Sequence, residues 1–462
     1  TNPMLDADYP DSEVIRVGDD YYYLSSSFHF APSNPIMHSK DLVNWKPIGY
    51  TIPDYKAMND SRYDMPNGET AYGLGSWAPS LRYHDGMFYS ICYVWLKPGN
   101  VNKPEELDGR LLVSRSKSIE GPWKTNVIDA HLYDPGLFFD DDGRVYVFHG
   151  QTDIYLTELD KDLTKVIDGP KLIYRGTPYF EGTHAYKING MYYLYCTGGG
   201  HQQALRSKNI LGPYEHKTVC VSDLSFPASG LHQGALIDTP SGEWWAIIFQ
   251  DRGKHGRSPM LLPVTWVDGW PITHPVMTYK KPNTGWNEPN PNADWMSDEF
   301  DSPKLGLQWQ WNHHPDPAGW SLAERPGFLR LRTTSKADVL RRARNTITQR
   351  IFGPDSGAET KLDVSGLKDG DYAGLGLLSQ HGSFVAVVGR DGKKFIQLIY
   401  QPNVGWINFE TRVLKEVPLE GNEVRFKAAI APLEYAVQYW HSTDGGEWIP
   451  IGEKLPIPYE FF

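Results

Sequence analysis

The sequence predicts an all-β protein in which a five-bladed β-propeller is followed by a jelly-roll-like β-sandwich. Three observations lead to this fold class. A hairpin pattern recurs five times before residue 250, aromatic residues make up 13% of the chain, and strand-like alternation returns after a Pro- and Asn-rich stretch.

The recurring hairpin consists of a short apolar strand, a turn rich in Gly, Asp or Asn, and an aromatic-rich strand. If Asp20, Gly86, Gly143, Gly190 and Gly242 are taken as equivalent turn residues, the steps between them are 66, 57, 47 and 52 residues. Units of roughly 50 residues that hold several short strands are typical of propeller blades. Five such units predict five blades.

The sequence changes character between residues 280 and 293, where prolines lie among Asn and Gly residues and indicate a linker. We therefore place the propeller at residues 1–285, the linker at 286–294 and the second domain at 295–462. Alternation in the second domain predicts a β-sandwich. Its predicted strands are 328–332, 346–351, 358–364, 373–378, 384–388, 395–400, 424–430 and 435–440.

Composition restricts the classes of partner. The net charge of −11 argues against a nucleic-acid or anionic-membrane partner, because phosphate groups require a basic face. Three cysteines are too few for a disulfide framework and are expected to be buried. No stretch has the length and hydropathy of a membrane span. A chain that begins at Thr1 favours a processed, secreted or periplasmic protein over a cytoplasmic one.

The candidate site emerges when residues are counted back from each turn. Nine residues before the first four turns, and ten before the fifth, lie Asp11, Trp77, Asp134, Glu181 and His232. Because the first strand of each blade lines the propeller axis, these positions should converge on one mouth of the channel. Singly, each has an ordinary explanation as a turn, packing or structural residue. Together they favour glycoside hydrolysis, in which one carboxyl protonates the leaving oxygen and another activates water.

Several motifs in the chain resemble those of glycoside hydrolase family 43, and the resemblance covers nearly the whole sequence. In the first domain they are Asn2-Pro3, Tyr9-Pro10-Asp11, Arg16–Tyr22, Trp77-Ala78-Pro79-Ser80, Asp134-Pro135-Gly136-Leu137-Phe138, Glu181-Gly182-Thr183-His184 and Gly256-Arg257-Ser258. Trp309-Gln310-Trp311 and Trp320–Leu331 resemble the start of the sandwich in the β-xylosidase and α-L-arabinofuranosidase branch of that family.

The resemblance implies a role for each of the three carboxyl groups. Asp11 matches the general base, Glu181 the general acid, and Asp134 the third carboxylate, which orients the acid and tunes its pKa. The family inverts the anomeric configuration by single displacement. The carboxyls of Asp11 and Glu181 are therefore expected to lie ~6.5–9.5 Å apart, with room for a water molecule between them.

The resemblance also implies substrate-binding residues. Arg257 matches an arginine that binds sugar hydroxyls, with a surface ion pair as the alternative. Phe28, Phe30 and Trp77 match the aromatic wall around the terminal sugar, with core packing as the alternative for Phe30. His232 matches a histidine on the channel axis. No cofactor is required for the reaction, and a structural calcium ion on the axis, held by His232 through a water, stays open.

The sequence departs from the family pattern close to the predicted base. Many relatives have Pro-Asp-Pro-Ser where this chain has Pro10-Asp11-Ser12-Glu13, and Asp8 and His29 also differ from the residues common near the pocket. These differences concern substrate choice rather than the reaction.

The sequence thus predicts an exo-acting, inverting hydrolase that releases terminal β-D-xylose or α-L-arabinofuranose from xylo- or arabino-oligosaccharides of hemicellulose. Two alternatives remain at this stage. One is an endo-arabinanase or another propeller glycosidase, and the other is a non-catalytic carbohydrate-binding propeller. The sandwich is expected to brace the propeller, with sugar binding as its alternative role, and the sequence leaves the oligomeric state open.

Overall fold

The computed structural model describes residues 1–96, 108–176, 179–221, 230–253, 256–286, 296–379, 381–403, 409–431, 434–443 and 445–457. Secondary structure in these residues is almost entirely β-strand. The helices among them are short 3-10 segments at Lys56–Met58, Ser61–Asp64, Pro66–Gly68, Pro317–Gly319 and Leu340–Arg342. The predicted all-β class is confirmed.

The described residues up to Thr273 form five four-stranded antiparallel sheets, which are the propeller blades. Blade 1 holds β1 (Glu13–Val17), β2 (Asp20–Leu24), β3 (Ser33–Ser39) and β4 (Lys46–Ile52). Blade 2 holds β5 (Gly75–His84), β6 (Met87–Trp95), β7 (Gly109–Ser116) and β8 (Lys124–Ile128). Blade 3 holds β9 (Gly136–Phe139), β10 (Val145–His149), β11 (Ile154–Leu159) and β12 (Val166–Tyr174). Blade 4 holds β13 (Glu181–Ile188), β14 (Met191–Gly198), β15 (His201–Ser207) and β16 (Glu215–Cys220). Blade 5 holds β17 (Leu231–Asp238), β18 (Trp244–Asp251), β19 (Arg257–Val267) and β20 (Trp270–Thr273).

The first strands of the five blades form a closed ring around the axis. Strands β1, β5, β9, β13 and β17 contact one another in this order, and β17 contacts β1. The N-terminal segment strengthens the closure, because Asn2 Nδ2 donates hydrogen bonds to the carbonyls of Leu261 (2.9 Å) and Val276 (2.8 Å). The five-bladed propeller predicted from the repeat is confirmed.

The hairpin turns lie where the repeat predicts them. Gly86, Gly143, Gly190 and Gly242 have φ values of +76°, +78°, +76° and +84°. A residue with a Cβ atom rarely adopts this conformation, whereas glycine does so without strain. Each glycine therefore marks a turn between the first two strands of its blade.

Aromatic residues fill the space between neighbouring blades. Tyr21 and Tyr23 of β2 are fully buried and pack with Ala235, Ile247 and Leu261 of blade 5. Burying a large apolar side chain contributes about 1.5–3 kcal/mol, so these contacts hold the ring together without help from covalent links.

The three cysteines agree with the prediction made from their number. Cys92, Cys196 and Cys220 are all buried and free. The parts of the chain that the structure describes contain no helix that is long and apolar enough to cross a membrane.

The second domain is a β-sandwich of two antiparallel sheets. One sheet has the order β25 (Ser356–Asp363), β30 (Glu423–Ala431), β31 (Ala436–Ser442) and β32 (Ile449–Pro450), and β33 (Leu455–Pro456) also pairs with β31. The other has the order β26 (Tyr372–Leu377), β27 (Gly382–Arg390), β28 (Lys393–Gln401) and β29 (Arg412–Pro418). Val385 and Leu398 pack against Phe426 and Tyr439 in the core between them. The predicted sandwich is confirmed.

The sequence prediction missed strand β29. All its residues are exposed apart from Val417, because β29 lies at the edge of its sheet. An edge strand without a buried face shows no period-two alternation. Two other predicted strands are shorter in the structure. The range 328–332 contains only the two-residue strand β23 (Arg330–Leu331), which pairs with β22 (Trp320–Ser321). The range 346–351 contains only β24 (Ile347–Thr348), which pairs with β21 (Gln310–Trp311).

The second domain contacts the propeller beside the loop that carries Phe28. Gln310 Nε2 donates to Ser27 Oγ (2.5 Å) and to the Pro32 carbonyl (2.8 Å), and Ala31 and Trp311 form a backbone bridge. The predicted linker, residues 286–294, lies outside the described residues from 287 onward. The domain boundaries therefore stay predictions.

Candidate active site

Asp11 and Asp134 occupy an uncommon backbone conformation. Their φ values are +57° and +49°, and each residue lies two positions before an innermost strand, β1 or β9. Positive φ costs free energy for a residue other than glycine and is often retained at functional sites. Here it places two acidic residues at equivalent points of two blades.

Three other blades carry a β-bulge at the corresponding point. The irregularities in the strand register lie between Trp77 and Ser80, between Glu181 and His184, and between Leu231 and Gly234. A bulge changes the direction of the side chains around it. Trp77, Glu181 and His232 therefore lie at or inside local distortions of the innermost strands, which spacing alone does not reveal.

The three predicted acidic residues converge. Asp11 and Asp134 are each 6% exposed, and Glu181 and Asp11 both act electrostatically on Asp134. The Arg257 guanidinium, on β19, acts on the same carboxyls. One mouth of the propeller axis thus holds the buried carboxyl groups of Asp11 and Asp134, the half-buried carboxyl of Glu181 and one buried cation.

Asp11 is surrounded by hydrogen-bond donors. Ser26 Oγ donates to its Oδ2, and Arg257 Nη1 lies 3.4 Å from its Oδ1. Ser26 in turn accepts a hydrogen bond from the backbone N–H of Ala78 (2.8 Å), which fixes its hydroxyl. These contacts fix the orientation of the Asp11 carboxyl, and a carboxyl in a fixed orientation suits a base.

The surroundings of Glu181 favour the protonated form of its carboxyl. Burial raises its pKa to about 6, and the negative charge of Asp11 adds to the effect, while a hydrogen bond from Tyr179 and the charge of Arg257 oppose it. The Tyr179 hydroxyl lies 2.6 Å from Glu181 Oε2 and accepts from Gln151 Nε2 (2.6 Å). A carboxyl that keeps its proton in mildly acidic solution suits a proton donor.

Asp134 lies beside Glu181, and the charge of Glu181 acts on its carboxyl group. Burial raises the pKa of Asp134 well above its usual range, and the charges of Glu181 and Asp11 raise it further. The backbone N–H of Gly182 donates to its carboxyl. Because the charge of Glu181 is one cause of this shift, the ionisation of the two carboxyl groups is linked. This position allows Asp134 to tune the protonation of Glu181.

We expect Asp134→Asn to lower kcat by about 10²-fold and to leave sugar binding nearly unchanged. The amide keeps an oxygen that accepts from Gly182, but it can neither hold a proton nor become charged. In wild type the last proton of the two carboxyls leaves against the charge of the other carboxyl, and the amide removes this repulsion. The alkaline limb of the pH–rate profile should therefore move to lower pH. Steady-state kinetics across pH, with calorimetric titration of the sugar, measure both effects. A fully active variant would refute this role for Asp134.

The predicted aromatic wall is largely assembled. The Phe28 and Trp77 rings meet edge to face, with centroids 5.0 Å apart. The Arg257 guanidinium lies 5.3 Å from the Phe28 ring and 5.4 Å from the Phe249 ring, and His232 stacks on Phe249 at 5.2 Å. Four predicted binding residues therefore lie together with Phe249, and two of them, Arg257 and His232, interact with Asp11.

Phe30 packs toward the contact between the domains. Its ring lies 4.3 Å from the His29 ring at an angle of 31°, and His29 also contacts Tyr72 (4.5 Å) and His313 of the second domain (4.6 Å). Burial lowers the pKa of His29 to about 3, so this imidazole is neutral. The role of Phe30 as part of the sugar wall stays a prediction.

Sequence reasoning did not find several residues that hold the site, among them Ser26, Gln151, Tyr179 and Phe249. Tyr179 precedes Glu181 by two residues, a spacing that places two side chains on one face of an extended chain, so it could have been found. Ser26 lies in a run of three serines that carries no signal of its own, because its role depends on contacts between blades.

His232 lies close to charged groups of both signs, and a calcium ion held there through water stays a prediction. Burial lowers the pKa of His232, and the Arg257 cation lies close enough to lower it further, against the charges of Asp251 and Asp11. Calcium requires 6–8 oxygen ligands. Across the described ranges of the chain, no group of three or more His, Cys, Asp or Glu residues could hold a metal ion.

Comparison with known proteins connects this geometry to a family. The model of the glycosyl hydrolases family 43 matches residues 1–271, and that of the β-xylosidase C-terminal concanavalin A-like domain matches residues 297–459. The chain belongs to glycoside hydrolase family 43. As a member of this family it is a glycoside hydrolase.

Two curated relatives and one solved structure illustrate the similarity of this family 43 hydrolase. It is 36% identical over 454 residues to a β-xylosidase of Formosa agariphila, covering 81% of this chain and 72% of the relative. It is 34% identical over 366 residues to the non-reducing end α-L-arabinofuranosidase BoGH43B of Bacteroides ovatus, covering 72% of this chain and 65% of the relative. The bifunctional GH43-CE protein of Bacteroides eggerthii superposes with a TM-score of 0.87 at 35% identity, and this chain spans 59% of its length.

Proposed function

We propose that this glycoside hydrolase is an exo-acting, inverting enzyme that releases terminal β-D-xylose, α-L-arabinofuranose or both from hemicellulose oligosaccharides. The observation that carries the proposal is the group of three carboxyls, two buried and one half-buried, that interact with Arg257 at one mouth of the propeller. A secreted or periplasmic location is part of the same proposal.

The proposed reaction gives Glu181 the role of proton donor and Asp11 the role of proton acceptor. Glu181, with its pKa raised to about 6, donates a proton to the glycosidic oxygen as the bond from that oxygen to the anomeric carbon breaks. Asp11 takes a proton from a water molecule that attacks the anomeric carbon from the opposite face. One displacement inverts the configuration and requires a carboxyl separation of ~6.5–9.5 Å. Asp134 holds Glu181 in place and tunes its pKa.

Contacts from the second domain support exo action. Arg350 Nε donates to the Asp8 carbonyl (2.7 Å), and Asp8 Oδ1 accepts from the backbone N–H of Arg257 (2.8 Å). His313 Nε2 accepts from the backbone N–H of Ala71 (2.9 Å), on the loop that leads to Trp77. These contacts bring the second domain against the segments that carry Asp8 and Ala71. A site closed on one side accepts chain ends rather than chain interiors, which is why we propose exo action.

The choice of sugar follows from shape and from the named relatives. β-D-Xylopyranose and α-L-arabinofuranose present similar hydroxyl arrangements, and the two relatives described above carry one activity each in their names. Arg257 supplies hydrogen-bond donors for sugar hydroxyls, while Phe28 and Trp77 supply apolar surface for a sugar ring. We therefore propose activity on aryl glycosides of one or both sugars.

A substrate panel tests the proposal. Wild type and Glu181→Ala are assayed on p-nitrophenyl β-D-xyloside, p-nitrophenyl α-L-arabinofuranoside, xylotriose and linear arabinan. We expect hydrolysis of at least one aryl glycoside and release of single sugars from chain ends. Products cut from within arabinan would establish an endo-arabinanase instead. Sugar binding without release of nitrophenol would establish a non-catalytic propeller.

A further inference from the structure

Glu13 is a buried charge that the proposed reaction does not use. It begins β1, two residues after Asp11, and its exposure is 0%. It also falls in the short segment where this sequence departs from the Pro-Asp-Pro-Ser pattern. A fully buried carboxylate is costly unless it is paired and hydrogen-bonded, so its surroundings indicate what it does.

The Glu13 carboxylate is held by three successive residues of the neighbouring blade. Its Oε2 accepts from Ser80 Oγ (2.9 Å), from the backbone N–H of Leu81 (3.1 Å) and from Arg82 Nη1 (2.7 Å). The ring Nδ1 of His184, in blade 4, lies 3.4 Å from the same oxygen. Oε1 accepts from the backbone N–H of Val14 (3.1 Å). Both oxygens are therefore occupied.

The ionised form of Glu13 is strongly favoured. Burial opposes ionisation, but the charge of Arg82 and the nearby His184 ring outweigh it, and the pKa of Glu13 falls to about 2. The side chains of Glu13 and Arg82 are 1% and 16% exposed. The innermost strands of the propeller thus carry the carboxylate of Glu13 paired with the guanidinium of Arg82.

The contacts of Glu13 lie directly beneath the candidate active site. Ser80 Oγ also accepts from the backbone N–H of Leu137 in β9 (3.1 Å). The network therefore includes blade 3 as well and joins four blades in all. Each member follows a site residue by two or three positions: Glu13 follows Asp11, Ser80 follows Trp77, Leu137 follows Asp134, and His184 follows Glu181. A change in this network therefore shifts the start of four innermost strands.

We propose that Glu13 is a positioning residue that fixes the relative placement of Asp11, Trp77 and Glu181, and that Arg82 offsets its buried charge. The positioning part rests on the proposed function, whereas the anchoring of the strands does not.

The test compares Glu13→Gln with Asp140→Asn. Asp140 is also a buried carboxylate that joins two blades, through Lys187 Nζ (2.8 Å) and Tyr192 Oη (2.7 Å), but it lies at the turn end of the innermost strands, away from the mouth. Both variants are assayed on the better of the two aryl glycosides, well below their unfolding temperatures. Hydrogen exchange is followed by mass spectrometry in peptides that cover residues 78–84 and 135–139.

We expect Glu13→Gln to lower kcat by about 10²-fold with little change in KM, and to speed exchange in both peptides. Asp140→Asn should lower thermal stability without either effect. Wild-type kcat in a folded Glu13→Gln variant overturns the proposal. If that variant does not fold, the double variant Glu13→Gln, Arg82→Gln removes both buried charges, and we expect the same loss of kcat. Recovery of wild-type kcat in the double variant overturns the proposal.

One further outcome separates the anchoring of the strands from the proposed function. If wild type cleaves no glycoside, the proposed function fails. Faster exchange in the two peptides of Glu13→Gln then still supports the anchoring, and unchanged exchange overturns it.

Discussion

Replacing Glu181 by Gln is expected to lower kcat by about 10²–10⁴-fold on glycosides with poor leaving groups, which is the usual contribution of a general acid. The amide keeps the size of the side chain and can still accept the hydrogen bond from Tyr179, but it cannot deliver a proton. The loss should be much smaller on 2,4-dinitrophenyl β-D-xyloside, whose leaving group needs little protonation. Steady-state kinetics on both substrates measure the contrast.

The pH–rate profile supplies the second part of this prediction. Wild type needs the protonated form of Glu181, so its activity should fall as pH rises through the raised pKa of about 6. In Glu181→Gln this alkaline limb should disappear. Glu215→Gln is a matched control, because Glu215 is an exposed acid on an outer strand of the same blade. An equal loss on both leaving groups, or an unchanged alkaline limb, would contradict the assignment.

Asp11→Asn should produce a loss of similar size by another route. An amide cannot accept a proton from the attacking water, and kcat should fall by about 10²–10⁴-fold on every substrate, whatever the leaving group. The absence of leaving-group dependence separates Asp11 from Glu181. Kinetics on the same pair of substrates measure it, and residual activity that depends on the leaving group would contradict the role of Asp11.

The same variant should also shift the titration of Glu181. The negative charge of Asp11 raises the pKa of Glu181, while Arg257 lowers it. Without Asp11 the raising effect is lost, so the alkaline limb of the residual activity should move to lower pH. Asp19→Asn serves as control, because Asp19 is an exposed acid at the turn of the same hairpin, and neither kcat nor the limb should change.

Much of the fold could be predicted because the propeller repeats itself. A turn glycine at positive φ and an aromatic strand after it recur in every blade after the first, so the register could be read without a structure. The same regularity placed Asp11, Asp134 and Glu181 together. Strand β29 could not be predicted, because an exposed edge strand has no alternation to detect.

The supporting contacts could not be predicted for a different reason. The hydrogen bond from Ser26 to Asp11 and the ion pair of Glu13 with Arg82 join residues of different strands or blades. Nothing in the local sequence marks such pairs, since they depend on how neighbouring strands are set against each other. The bulge at Glu181 is hidden for the same reason, although Gly182 after it permits the unusual backbone, at a φ of +63°.

The central claim is that Asp11 activates water for a single displacement while Glu181 protonates the leaving oxygen. Its most direct test is proton NMR of p-nitrophenyl β-D-xyloside hydrolysis, recorded within the first minutes, before the released sugar mutarotates. The account predicts that α-D-xylose appears first and that the β-anomer grows only afterwards. If β-D-xylose appeared first, configuration would be retained, and the role of Asp11 as base would be wrong.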